Sequence, residues 1–149
     1  MKKNKLFLVL VLLSCLVSGL RAQVQWSFTA KKMGDKVYEL HCSATVQGNW
    51  HIYSQFTPEG GPVPTVFKFS SNPLVIIEGK PSELGCMVTK FEEAFGINVK
   101  YFAGKVDFVQ KVTLKTKVKT AVSGTVTFMV CNDSQCLPPK IVNFNMALQ

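Results

Sequence analysis

The sequence predicts an all-β antiparallel sandwich, and three observations carry that prediction. Apolar and polar residues alternate with period 2 in several separate runs, as in half-buried strands. Turn residues punctuate the chain between those runs. No stretch shows a convincing amphipathic helical repeat, and many short strands at regular spacing are the mark of a sandwich.

The elements follow in order. A short run covers Val24–Ala30, and Gly34-Asp35 provides a turn. Tyr38, Leu40, Cys42, Ala44 and Val46 then alternate with Glu39, His41, Ser43 and Thr45, giving a clear strand that Gly48-Asn49 ends. Beyond a Pro58 to Pro64 loop come short runs at Thr65–Phe69 and Val75–Glu78, divided by Asn72-Pro73. The stretch around Leu84-Gly85 reads as turn-rich. Val99–Phe102 forms a further run, and Ala103-Gly104 reads as a turn. Val106, Phe108, Val112 and Leu114 share a face, with Gln110 as a break. A strand over Ala121–Val130 places Val122, Val126, Phe128 and Val130 together, interrupted by Gly124, and Val142, Phe144, Met146 and Leu148 close the pattern. The length from Gln23 to Gln149 suits one domain with a single core.

The first 22 residues read as a secretory signal peptide. Lys2, Lys3 and Lys5 precede an apolar run from Leu6 to Val17, and Ser18-Gly19-Leu20-Arg21-Ala22 offers a cleavage site after Ala22. The run is too short for a membrane span, which needs about 20 apolar residues. A minor alternative is cleavage before Cys15 with lipid attached there. A periplasmic location is expected, with no membrane segment after cleavage. The leader holds four cations, Lys2, Lys3, Lys5 and Arg21, so the formal charge of +8 falls to +4 without it. The remaining lysines are spread along the chain. Lys111, Lys115, Lys117 and Lys119 are the densest group and read as a solvated strand end protecting a sheet edge. No concentrated patch or module points to nucleic acid.

The chemistry concentrates in Cys131-Asn132-Asp133-Ser134-Gln135-Cys136-Leu137-Pro138-Pro139, at the turn between the last two strands. A crosslink this local adds little stability, because the entropy removed grows with the length of chain closed. Such a bond can be a reducible redox pair or a structural hairpin clip, and spacing leaves both open. Pro138 and Pro139 have no backbone N–H, so they interrupt the ladder and stiffen the turn. Asp133 disfavours a neighbouring thiolate, and Lys140 is the one nearby cation in sequence. The expectation is a pair that reacts with a partner's activated cysteine rather than a strong oxidant.

The Cys131–Pro139 segment resembles the active-site turn of the N-terminal periplasmic domain of DsbD, the bacterial transmembrane thiol:disulfide reductase. Trp50-His51-Ile52-Tyr53-Ser54-Gln55 resembles that family's aromatic strand, and Phe91-Glu92-Glu93-Ala94-Phe95-Gly96 resembles its cap loop. Val142–Leu148 resembles its last strand, so the likeness covers nearly the whole exported chain. It implies an immunoglobulin-like sandwich that passes electrons between a reductase and periplasmic oxidoreductases, as a protein-disulfide reductase component without a cofactor. It further implies that Cys131 and Cys136 exchange, with Cys136 attacking and Cys131 resolving. Phe95 would shield the pair, Glu92 or Glu93 would relay protons, and Trp50, Tyr53 and Pro138 would pack around it. His51 is expected to point away from Trp50 and Tyr53, on the surface.

The sequence carries no counterpart of DsbD's membrane and thioredoxin-like modules. The expected partner is therefore a separate thioredoxin-like or DsbD-type reductase. Cys42 and Cys86 are expected to be free or paired together, with a buried Cys42 acting as a small core hydrophobe. Two other function classes remain. One is a noncatalytic envelope-binding or structural sandwich whose disulfide only clips a hairpin. The other is a metal site of Cys131, Cys136, His41 and His51, which an oxidising compartment disfavours, so no metal is expected. No Ser-His-Asp set or phosphate loop supports a hydrolase or transferase.

Overall fold

The computed structural model describes residues 22–149, and the signal peptide expected over residues 1–22 lies outside them apart from Ala22, as does Cys15. The described residues form ten strands and no helix: β1 (Val24–Lys32), β2 (Val37–Val46), β3 (His51–Tyr53), β4 (Val66–Phe69), β5 (Val75–Ile77), β6 (Ser82–Glu92), β7 (Ile97–Leu114), β8 (Thr120–Phe128), β9 (Val130–Cys131) and β10 (Lys140–Leu148). All named pairings are antiparallel. One sheet runs β1-β2-β7-β3-β9, with β5 and β6 also paired to β7, and a second sheet runs β10-β8-β4.

The core lies between the two sheets, where the alternation predicts it. Leu40, Cys42 and Ala44 of β2 and Val106, Phe108 and Val112 of β7 face Val122, Val126 and Phe128 of β8 and Phe144, Met146 and Leu148 of β10. Trp26 and Phe28 of β1 stack alongside, Trp26 at 5.8 Å from Phe108 and 5.3 Å from Phe128. Gly124 explains its own break in the β8 pattern. A Cβ there would stand 2.3 Å from the Lys68 carbonyl oxygen and 2.7 Å from the Phe144 ring, so β4 and β10 close over a position without a side chain.

Four expectations need correction. Ala103-Gly104 is not a chain reversal. β7 runs unbroken through it, and a bulge opposite Cys86 absorbs the extra residues with Gly104 at φ 79°. Gln110 does not break that strand either. Its side chain is buried on the core face, and its amide donates to the Glu78 and Lys111 carbonyls at 2.9 and 3.0 Å. The turn-rich reading around Leu84-Gly85 gives way to β6, whose exposed residues on both faces leave no period to read. Lastly, Ala121–Val130 is two strands. β8 ends at Phe128 in the small sheet, and after Met129 the chain enters the large sheet as β9. The lysine group is exposed at the end of β7, as a solvated strand end should be, but β7 is paired there with both β2 and β5, so the group shields no sheet edge.

Candidate functional site

The switch of sheets at Met129 builds the site. On β9, Val130 joins the main core while Cys131 points to the opposite face of the large sheet, as alternation requires. There Cys131 lies in a second, smaller cluster with Tyr53 and Val99, flanked by Ile97, Tyr101 and Met129. The chain then turns back on itself. Leu137 N–H donates to the Val130 carbonyl at 2.8 Å and Asn132 N–H to the Gln135 carbonyl at 2.9 Å. The Asn132 side-chain oxygen accepts from the Ser134 and Gln135 N–H groups, both at 2.9 Å, which fixes the tip. These bonds flank Cys131 and Cys136 and leave them as a pair without mutual backbone hydrogen bonds, the kind whose side chains come closest. Their Cα atoms are 4.0 Å apart and the sulfurs are bonded. The bond is asymmetric in access: Cys131 is 1% exposed, whereas Cys136 is exposed.

A cleft of about 100 Å³ opens beside the disulfide, lined by His51, Tyr53, Lys90, Glu92, Phe95, Asn132 and Asp133 as well as both cysteines. One wall is the hairpin joining β6 to β7. The Glu92 backbone carbonyl accepts from Phe95 N–H at 3.1 Å and Gly96 N–H at 2.9 Å, and Gly96 takes φ 67°, so the reversal needs glycine. Lys90 pairs with Glu92 at 3.0 Å on the rim, and that carboxylate raises the lysine's pKa. The other wall is β3, where His51 is the direct cross-strand partner of Cys131.

His51 therefore does not point away from the site. Residues 51 and 53 share a face on a strand, and residue 50 does not. The His51 Nε2 lies 3.2 Å from the Tyr53 hydroxyl, and its ring is 4.4 Å from that of Tyr101. Burial pushes the His51 pKa down, against the raising influence of Asp133 and Glu92, while Lys90 lowers it further. The Tyr53 phenol is pushed up to about 12, first by burial and then by Glu92 and Tyr101. Strand parity was the signal that could have found His51.

The other sequence-predicted residues divide. Cys131, Cys136, Glu92, Phe95 and Tyr53 meet at the cleft. Glu93 is exposed on the hairpin turn and Pro138 is exposed after the cysteine turn, and neither lines the cleft. Trp50 packs against the main core. Cys42 and Cys86 are not bonded to each other: Cys42 is buried on β2 and Cys86 is exposed on β6. Among the described residues no group of three or more potential metal ligands comes together. His41 instead bonds Asp107 at 2.7 Å, and Ser43 donates to the same carboxylate at 2.9 Å. That hydroxyl bonds the carboxylate and not the imidazole, so the trio is not a nucleophilic triad.

Fold and site together define a two-sheet antiparallel domain that carries a turn-borne disulfide beside a hairpin cap. The model of the family described as thiol:disulfide interchange protein DsbD, N-terminal, matches residues 20–147, and the chain belongs to that family. Solved structures share the fold. The N-terminal periplasmic domain of ScsB from Proteus mirabilis aligns with a TM-score of 0.57 and 16% identity, over 89% of this chain and 49% of that one, so this chain spans about half its length. The reduced DsbD N-terminal domain of Neisseria meningitidis gives 0.50 at 17% identity, over 80% and 82% of the two chains. A complex between the DsbD N-terminal and PilB N-terminal domains from Neisseria meningitidis gives 0.54 at 16% identity, over 88% and 87%. The fold is the immunoglobulin-like β-sandwich expected from the sequence. No curated protein matches the chain. Among the described residues no helix is long and apolar enough to cross a membrane.

Proposed function

We propose that this domain is a periplasmic thiol–disulfide exchange module that passes electrons from a separate thioredoxin-like or DsbD-type reductase to envelope oxidoreductases through Cys131 and Cys136. The observation that carries the reading is the asymmetry of the disulfide, with an exposed Cys136 and a buried Cys131. A partner thiolate attacks Cys136, the S–S bond breaks, and the electron pair leaves on Cys131. In the other direction a Cys136 thiolate attacks a partner's disulfide, and Cys131 then displaces the partner from Cys136. Cys136 is thus the attacking cysteine and Cys131 the resolving one. Phe95 screens the cleft from stray thiols, Glu92 sets the charge at its rim, and Tyr53 supports the buried sulfur. Family membership supports the reading, and the signal peptide expected over residues 1–22 supports the compartment.

The test is to equilibrate the protein in graded thiol–disulfide buffers, alkylate, and read each cysteine by mass spectrometry. A Cys131–Cys136 potential above about −270 mV lies with the exchange proteins, and one below about −300 mV marks a structural clip. One observation favours the clip as a second reading. Leu84, Met87, Val88 and Phe91 are exposed along β6, a surface a noncatalytic binding sandwich would use. A potential in the lower range would select that reading.

A further inference from the structure

Closing the internal disulfide requires a thiolate at a sulfur the fold has buried. When a partner is held on Cys136, Cys131 must lose its proton before it can attack, and burial among Tyr53, Val99 and Met129 disfavours the charge. A base within the cleft removes that difficulty. We infer that His51 is this base, taking the proton from Cys131 as the internal disulfide closes, an inference that rests on the exchange reading above.

The placement argues for it. His51 and Cys131 are directly opposite on antiparallel β3 and β9, so their side chains leave the same face of the sheet with Cβ atoms about 5 Å apart, and both line the cleft. The ring is held between two aromatic neighbours, edge-on to Tyr53 and tilted over Tyr101. The Tyr53 hydroxyl at its Nε2 fixes its orientation and steadies the imidazolium once formed. The carboxylates facing the cleft are less suited. Glu92 is paired with Lys90, and Asp133 sits on the exposed tip of the cysteine turn. Burial keeps the imidazole neutral below its ordinary range, so the base form dominates at neutral pH, while Asp133, Glu92 and Lys90 modulate it.

The step balances. Cys131 S–H gives its proton to the imidazole, and its electron pair attacks the Cys136 sulfur. The bond from Cys136 to the partner sulfur breaks, and the pair leaves with the partner as thiolate. The protein dithiol has lost two electrons and the partner disulfide has gained them. In the reverse direction the imidazolium returns the proton to Cys131 as it leaves.

Glutathione disulfide serves as the probe. The reduced protein is mixed with it from pH 5.5 to 8.5, acid-quenched, and resolved by peptide mass into dithiol, Cys136–glutathione adduct and closed disulfide, with glutathione on the exposed Cys86 counted separately. In the unsubstituted protein the adduct closes fast, with a rate nearly flat around neutral pH. In His51→Gln, which keeps a polar partner for Tyr53, the adduct accumulates. Its closure at pH 7 is about a hundredfold slower, and its rate rises about tenfold per pH unit. In His51→Ala, added imidazole restores the rate. Closure of both variants at the unsubstituted rate and pH profile overturns the inference while leaving the exchange reading intact. Slow closure with an unchanged pH profile and no rescue marks a structural role and overturns it too. An unsubstituted protein that forms neither adduct nor closed disulfide defeats the exchange reading and this inference with it.

Discussion

Four cysteines share the described chain, and their surroundings assign them different chemistry. Cys42 faces the core between β1 and β7, where burial first and the Asp107 carboxylate second push its thiol up to about 12. Relative to an ordinary thiol that leaves about a thousandfold less thiolate at neutral pH. The neutral form is favoured in the fold, so this contribution to stability is complete below pH 9 and is lost as pH rises through about 12. Cys86 is exposed on β6, open to reagents in solution. Brief iodoacetamide treatment of the oxidised native protein at pH 7.5 should therefore add one label, on Cys86. Cys42 should react only after denaturation, and early labelling of Cys42 would mean that β1 does not stay docked on the core.

On the exchange reading proposed above, the β6–β7 hairpin is the element that decides access. Its residue Phe95 is 44% exposed and lines the cleft, so the ring contributes little to the core. Phe95→Ala should raise the rate of disulfide reduction by dithiothreitol several-fold while leaving the unfolding free energy in urea within about 0.5 kcal/mol of the parent. An unchanged reduction rate would remove the shield from the account. The hairpin also shows what the sequence could and could not disclose. Glu92 and Phe95 were legible as neighbours of the disulfide because of the motif they sit in. The strand leading to them was not, because Leu84, Met87, Val88 and Phe91 are exposed and nothing buried sets a period on β6. β2, β8 and β10 were legible for the opposite reason, each burying one face against the other sheet. His51 was missed by a parity slip that the cross-strand pairing with Cys131 corrects. The bulge at Gly104 was invisible because a glycine inside a strand and a glycine in a turn look alike in one dimension.

At the scale of the whole molecule, one wall of the inter-sheet core is the small sheet, which is drawn tight at Gly124 between its cross-strand partners Phe69 of β4 and Phe144 of β10. There the β4 backbone and the Phe144 ring leave no room for a methyl group. Gly124→Ala should cost about 1–3 kcal/mol by overpacking. Gly34→Ala, at a position with open space and no positive φ, should be neutral or slightly stabilising. The disulfide stands apart from that inter-sheet core. Of its residues only Cys131 is buried, and in the smaller cluster on the far face of the large sheet. A bond spanning five positions closes a short loop, for which the chain-entropy estimate is about 2 kcal/mol, well under that of a long loop. A domain that cycles between oxidation states needs this separation, since its fold must survive each reduction. Urea unfolding of the oxidised and reduced forms should then give free energies within about 2 kcal/mol of each other. The slopes against denaturant should be nearly equal, because both forms bury the same inter-sheet surface. A reduced form with a much smaller slope would show that the sandwich depends on the bond, as a clip requires and an electron carrier cannot tolerate.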